Sequence, residues 1–250
     1  MLNQNILEGA GPFYFQGNSL GILMIPGGGG GTCADFKYIA EDIHNRCGWT
    51  ISVPLLPGFG TSPKDLKNTS LDAWKSALNE ELILLKKNHD KIIVGGHSMG
   101  GVLALILAGK YNLDGIFTIG APVGIKPFLS KLVPLIELFL KYYPIPAEKF
   151  RMQTNGKWVG YDKIPLNQAT KMKKLIKEMK KNLPKIKCPA LLLQGRLDSV
   201  IKPKSMDYIY ENIDSKVKRK IWLENNEHPI LESPDNEIII SEIINFIKQI

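Results

Sequence analysis

The chain has 250 residues, 44% hydrophobic and 22% charged, which suits one ordinary globular domain with room for an insertion. Its net charge of +8 would suit nucleic acid, but no basic stretch is interleaved with aromatics and no reader motif is present. No nucleic-acid partner is therefore expected, and the lysines read as solvated. No positively charged apolar leader and no unbroken apolar span occurs, so neither a signal peptide nor a transmembrane helix is expected. Three widely spaced cysteines (Cys33, Cys47, Cys188) lack metal-ligand spacing, and reduced thiols in a cytoplasm are expected.

Pro12 to Gln16 and Leu20 to Ile25 read as two short strands, joined at Gly17-Asn18 into an antiparallel hairpin. The second ends at Pro26 and runs into Gly27 to Gly31 and Thr32. Neither nucleotide-phosphate signature, G-x-G-x-x-G or G-x-x-x-x-G-K-[ST], fits this run. Its bare backbone N–H groups could instead face a negatively charged oxygen at the top of a central strand. Phe36 to Arg46 is expected to be helical, Thr50 to Pro54 a strand, and Leu56 to Pro63 a turn-rich loop. Ser70 is a plausible N-cap for a helix to about Lys87, with Leu71, Trp74, Leu78 and Leu82 on one face.

Lys91 to Gly109 is the centre of the chain. Ile92, Ile93 and Val94 form a buried strand that enters glycines, and an apolar helical run follows. Between them lies Gly96-His97-Ser98-Met99-Gly100, a G-x-S-x-G turn. A serine hydroxyl attacks well only when it is lifted clear of its neighbours and offered to a base. A sharp strand-to-helix turn does the lifting, and flanking glycines let strand and helix approach. Met99 opens the helix, so its free N–H points toward any negative charge formed beside Ser98.

Gly115 to Ile119 is a further strand, and strands alternating with helices at this spacing imply a mostly parallel sheet with helices on both faces. About 65 residues then separate Val123 from the next strand, Ala190 to Gln194. Within them, Phe128 to Tyr143 reads as an apolar helix. Thr170 to Asn182 reads as an amphipathic one, with Met172, Leu175, Ile176 and Met179 on one face and lysines on the other. The expected layout is a core of residues 1–122 and 187–250, with 123–186 as a small helical cap over the site. The lysine face reads as solvated, with membrane contact at most peripheral. Lys218 to Leu223 is the last strand, and an isoleucine-rich helix from about Glu237 closes the chain.

A base working at neutral pH should be one of four histidines. His44 falls in a helix, His89 precedes the nucleophile strand, and His97 is too close to Ser98 to turn back onto its hydroxyl. His228 remains, in the loop after the last strand, and Asp198 holds the matching loop of the strand before. Loops at the carboxyl ends of parallel strands share one rim. Asp207 and Asp214, in or after the next helix, are the poorer acids.

The order Ser98, Asp198, His228 resembles that of the α/β-hydrolases. LPGFGTSP, GGHSMGG, LLLQGRLDSVI and the spacing of NNEHPI make the chain similar to their bacterial carboxylesterase and monoacylglycerol lipase branch. That resemblance implies Ser98, Asp198 and His228 as a triad, with Gly28 and Met99 as backbone N–H donors to the oxyanion. It also implies a cap, a small hydrophobic ester substrate, and no metal or organic cofactor. Pro26-Gly27 replaces the family's usual His-Gly, and five glycines leave the oxyanion register open within Gly27 to Gly31. A monomer or weak homo-oligomer is expected. Cleavage of another acyl or carbon–carbon bond, acyl transfer to another acceptor, and a silent ligand-binding role are the competing readings.

Overall fold

The computed structural model describes residues 6–124 and 140–250. Among them the main sheet has seven strands: β1 (Phe13–Phe15), β2 (Leu20–Ile25), β3 (Thr50–Val53), β4 (Lys91–His97), β5 (Gly115–Ile119), β8 (Ala190–Gly195) and β9 (Lys218–Leu223). Their order is β1-β3-β2-β4-β5-β8-β9, and every pairing except β1 with β3 is parallel. Helices α1 (Ala34–Cys47), α2 (Pro63–Asn68), α3 (Leu71–Asn88), α4 (Met99–Ala108), α7 (Ser205–Asn212) and α8 (Asn236–Lys248) connect or follow these strands. The result is an α/β-hydrolase sheet with helices on both faces.

The alternation of strand side chains divides the core in two. Ile22, Met24, Ile93, Phe117, Leu191 and Leu193 face α1 and α8, whose Phe36, Ile39, Ile43, Ile240 and Ile243 complete that layer. Leu23, Ile25, Val94, Ile116 and Leu192 face the other way, onto Trp74, Leu78 and Leu82 of α3 and the whole of α4. Ser70 caps α3 as expected, its hydroxyl accepting the Ala73 N–H at 3.0 Å.

The expected hairpin is not formed. β1 pairs antiparallel with β3, while β2 has β3 on one side and β4 on the other. With both edges of β2 taken by parallel strands, β1 adds to the outer edge of β3. The chain between them is held to that side by hydrogen bonds from Gly17 N–H to Thr50 Oγ1 (2.9 Å) and from Asn18 N–H to Gly48 O (2.8 Å).

Between β5 and β8 lie β6 (Tyr142–Pro144), α5 (Ala147–Gln153), β7 (Lys163–Pro165) and α6 (Asn167–Asn182). Most of the helix expected over Phe128 to Tyr143 lies outside the described residues. Its end differs: Tyr142 and Tyr143 belong to β6, which pairs antiparallel with β7. Pro144 and Pro146 explain this, since a residue before proline is driven out of the helical region. α6 buries Leu175, Ile176 and Met179 in the same cluster as α4. Sheet on one side and α6 on the other leave every residue of α4 buried, which accounts for a helix that is apolar all round.

Candidate active site

The strand registers bring five loops to one rim. Ile25 is level with Gly96, His97 with Ile119, Ile119 with Leu193, and Gly195 with Leu223. The chain therefore leaves the sheet side by side at Pro26, Ser98, Gly120, Arg196 and Glu224.

Ser98 stands at the β4–α4 turn with φ 53° and ψ −116°, a conformation an L-residue adopts only when its surroundings impose it. Those surroundings are backbone. A Cβ on Gly96 would stand 2.3 Å from the Gly100 carbonyl, and one on Gly100 would stand 1.9 Å from the Ile25 carbonyl oxygen. Both flanking positions of the pentapeptide must therefore be glycine. The Ser98 N–H donates to Ile119 O at 2.9 Å, which ties the turn to β5.

Asp198 lies just past β8 with its carboxylate buried. Oδ1 accepts the N–H groups of Val200 (2.9 Å) and Ile201 (3.1 Å), and Oδ2 accepts from His228 Nδ1 at 2.6 Å. Burial pushes this carboxyl up, but the His228 hydrogen bond and charge and the two amides outweigh it, holding it below its ordinary value. It is therefore ionised at neutral pH. With Nδ1–H committed to Asp198, Nε2 of His228 is the free acceptor, and it lies 2.8 Å from Ser98 Oγ. Gly120 (φ +59°) lies beneath the pair; a Cβ there would come within 3.5 Å of His228 Nδ1.

The loop bearing His228 is pinned from several directions. Asp235 accepts the Asn225 N–H at 2.9 Å, Asn226 O accepts the Leu197 N–H at 3.2 Å, and the Ser233 hydroxyl donates to Asn226 Oδ1. His97 adds a support that pattern reading did not find. Its Nε2–H donates to the backbone carbonyl of His228 at 2.8 Å, and the two rings lie 5.1 Å apart. Burial, with help from the neighbouring His228, lowers the pKa of His97 to about 3, so it stays neutral. His44 and His89 turn their Nδ1 atoms to Trp49 O and Leu85 O, and Asp207 pairs with Lys220 at 2.5 Å away from the site.

The glycine run meets the other side of the turn. A Cβ on Gly27 would lie 3.6 Å from Ser98 Cβ, and one on Gly28 would lie 3.4 Å from Met99 Cβ. Gly28 and the first residue of α4 are thus immediate neighbours. Among the described residues no group of three or more His, Cys, Asp or Glu side chains could hold a metal ion. None of the described helices is long and apolar enough to cross a membrane.

A model of the Hydrolase_4 family, described as serine aminopeptidase S33, matches residues 17–235. The chain belongs to that family. Its relatives include a thermostable monoacylglycerol lipase of Bacillus sp. (strain H-257), 30% identical over 96% of this chain and 95% of the lipase. A carboxylesterase of Bacillus subtilis (strain 168) is 25% identical over 96% of each chain. Among solved structures, one from work on two metagenome-derived lipolytic enzymes, LipS and LipT, superposes with a TM-score of 0.90. It is 27% identical and covers 98% of this chain and 100% of its own. The monoacylglycerol lipase of Paleococcus ferrophilus has the same fold, with a TM-score of 0.78 at 18% identity over 95% and 97% of the two chains.

Proposed function

We propose that the chain hydrolyses esters of short or medium acyl chains, monoacylglycerols among them, with Ser98 as nucleophile, His228 as base and Asp198 as its orienting acid. It is an ester hydrolase of the lipase and esterase kind, as its family and relatives indicate. The observation that carries the assignment of roles is the unbroken line from Ser98 Oγ to His228 (2.8 Å) and from His228 to Asp198 (2.6 Å).

His228 Nε2 takes the hydroxyl proton as Ser98 Oγ attacks the ester carbonyl, and the ionised Asp198 stabilises the imidazolium so formed. The N–H groups of Gly28 and Met99 receive the oxyanion, each worth roughly 3–4 kcal/mol in related chemistry. His228 then gives its proton to the leaving alcohol, and water cleaves the acyl-enzyme with His228 again as base. Residues 123–186 serve as the cap and favour soluble esters over emulsified long-chain triacylglycerol. Leu197 and Val200, exposed on either side of Asp198, offer apolar surface to a hydrophobic substrate.

Ser98→Ala tests the reading. The variant should keep its fold, lose labelling by a fluorophosphonate probe, and lose kcat toward p-nitrophenyl butyrate by at least about 10⁴-fold. Activity above a few per cent of wild type would show that another residue attacks.

A further inference from the structure

Five consecutive glycines are a poor way to hold an N–H group still, because each has more conformational freedom to lose than any other residue. In this fold the run is gripped from outside. The Tyr161 N–H donates to Gly30 O at 2.9 Å, and the Thr32 hydroxyl donates to Val159 O at 2.8 Å. Between those two bonds sits Gly160, where a Cβ would stand 2.3 Å from the Gly30 carbonyl oxygen. The backbone of residues 159–161 therefore lies directly on the backbone of residues 30–32. On the same side a Cβ at Gly30 would meet Ile164 Cγ2 at 2.8 Å.

The grip has its own anchor. Tyr161 is buried, and its hydroxyl accepts the Thr61 N–H at 2.7 Å and donates to Gly58 O at 2.8 Å. Burial raises the phenol's pKa, against the Thr61 hydrogen bond, so it remains a donor at neutral pH. One residue of the insertion thus joins the loop after β2 to the loop after β3.

We infer that the strap Val159–Tyr161 sets the shape of the glycine run, with Tyr161 the positioning residue that aims the Gly28 N–H at the oxyanion. The inference rests on the role given to Gly28 above. Tyr161 acts through Gly30, whose carbonyl accepts its backbone N–H. The oxyanion site is then completed by the insertion and is not a property of the core alone.

The test uses the full chain with Tyr161→Phe, which removes both hydroxyl bonds (to Thr61 and Gly58), and Thr32→Val, which removes the bond to Val159 O, each at nearly constant volume, and with Gly160→Ala, which pushes on Gly30. The readouts are kcat and KM for p-nitrophenyl butyrate, Ki for butylboronic acid as a tetrahedral analogue, and Tm. We expect kcat to fall about tenfold or more with KM within about twofold, and Ki for the boronate to rise by the same factor. A lower Tm with kcat and Ki unchanged would make the strap a stability element only and overturn the inference, as would a rise in KM at constant kcat. If Tyr161→Phe does not fold, Thr32→Val decides by the same criteria. An inert Ser98→Ala beside a fully active Tyr161→Phe sinks this inference alone, whereas an active Ser98→Ala sinks the assignment of the nucleophile.

Discussion

Two glycine-rich turns stand side by side at the ends of β2 and β4, and they are held in opposite ways. The turn around Ser98 is fixed from within: Gly96 and Gly100 are pressed against main-chain carbonyls, and a methyl at either would collide at 2.3 Å or less. The run after β2 is fixed from without: a Cβ on Gly29 would touch nothing within 4 Å, and its neighbours are held by residues 159–164. A turn shaped by the core carries its own explanation in five residues. A turn shaped by a distant strap does not.

The largest effect should come from the tightly determined side. Asp198→Asn keeps the shape of the side chain but offers His228 Nδ1 an amide where a carboxylate stood. In a related triad that change costs about 10⁴ in kcat, and a similar loss is expected here, partly relieved at high pH. Asp207→Asn should stay within about twofold of wild type, because an exposed pair with Lys220 is worth little. The reverse ranking in steady-state kinetics would require a different acid.

Next in size is Gly100→Ala. A methyl 1.9 Å from the Ile25 carbonyl oxygen and 2.5 Å from that of Pro26 has only backbone to displace. Overpacking of that kind should cost about 3 kcal/mol or more. Urea unfolding of the variant measures it, and a loss under about 1 kcal/mol would mean that the nucleophile turn is looser than its contacts imply.

His97 gives the same side a pH signature. It is neutral when folded, with its pKa lowered to about 3, whereas in the unfolded chain it protonates near the ordinary value of 6.5. Between those values the unfolded chain binds more protons, so this residue's contribution to stability falls as pH falls. The slope approaches about 1.4 kcal/mol per pH unit below 6.5. His97→Gln, which keeps an N–H donor near the His228 carbonyl, removes the titration. Its unfolding free energy should therefore decline less between pH 7 and pH 5, and equal slopes for variant and wild type would assign the acid sensitivity elsewhere.

What could be read from the sequence follows the same division. The meeting of Ser98, Asp198 and His228 at one rim was legible because each follows a strand, and strand ends in a parallel sheet share a rim. The amphipathic face of α6 was legible from its spacing, though not its destination on α4. The misplacement of β1 arose because a Gly-Asn turn reads as a local hairpin, whereas the outcome depends on which edges distant strands leave open. Tyr161 and Gly160 gave no signal at all. A lone tyrosine beside a glycine acquires meaning only when Gly30, 130 residues earlier, is laid against it.

The smallest expected effect sharpens the contrast most. Gly29 has φ +73° and open space around its missing Cβ, so Gly29→Ala meets a conformational cost and no steric one. A left-handed alanine costs roughly 1–2 kcal/mol. Loss of glycine's freedom in the unfolded chain returns about 0.4–1 kcal/mol. The net change should be about 1 kcal/mol or less, with kcat within about twofold, because the bonds at Gly30 and Thr32 still define the run. Gly29→Ala and Gly100→Ala thus make the same chemical change in adjacent turns with opposite expected severity. If their unfolding free energies fall equally, the run after β2 is as dependent on its own packing as the nucleophile turn, and holding it from outside is unnecessary.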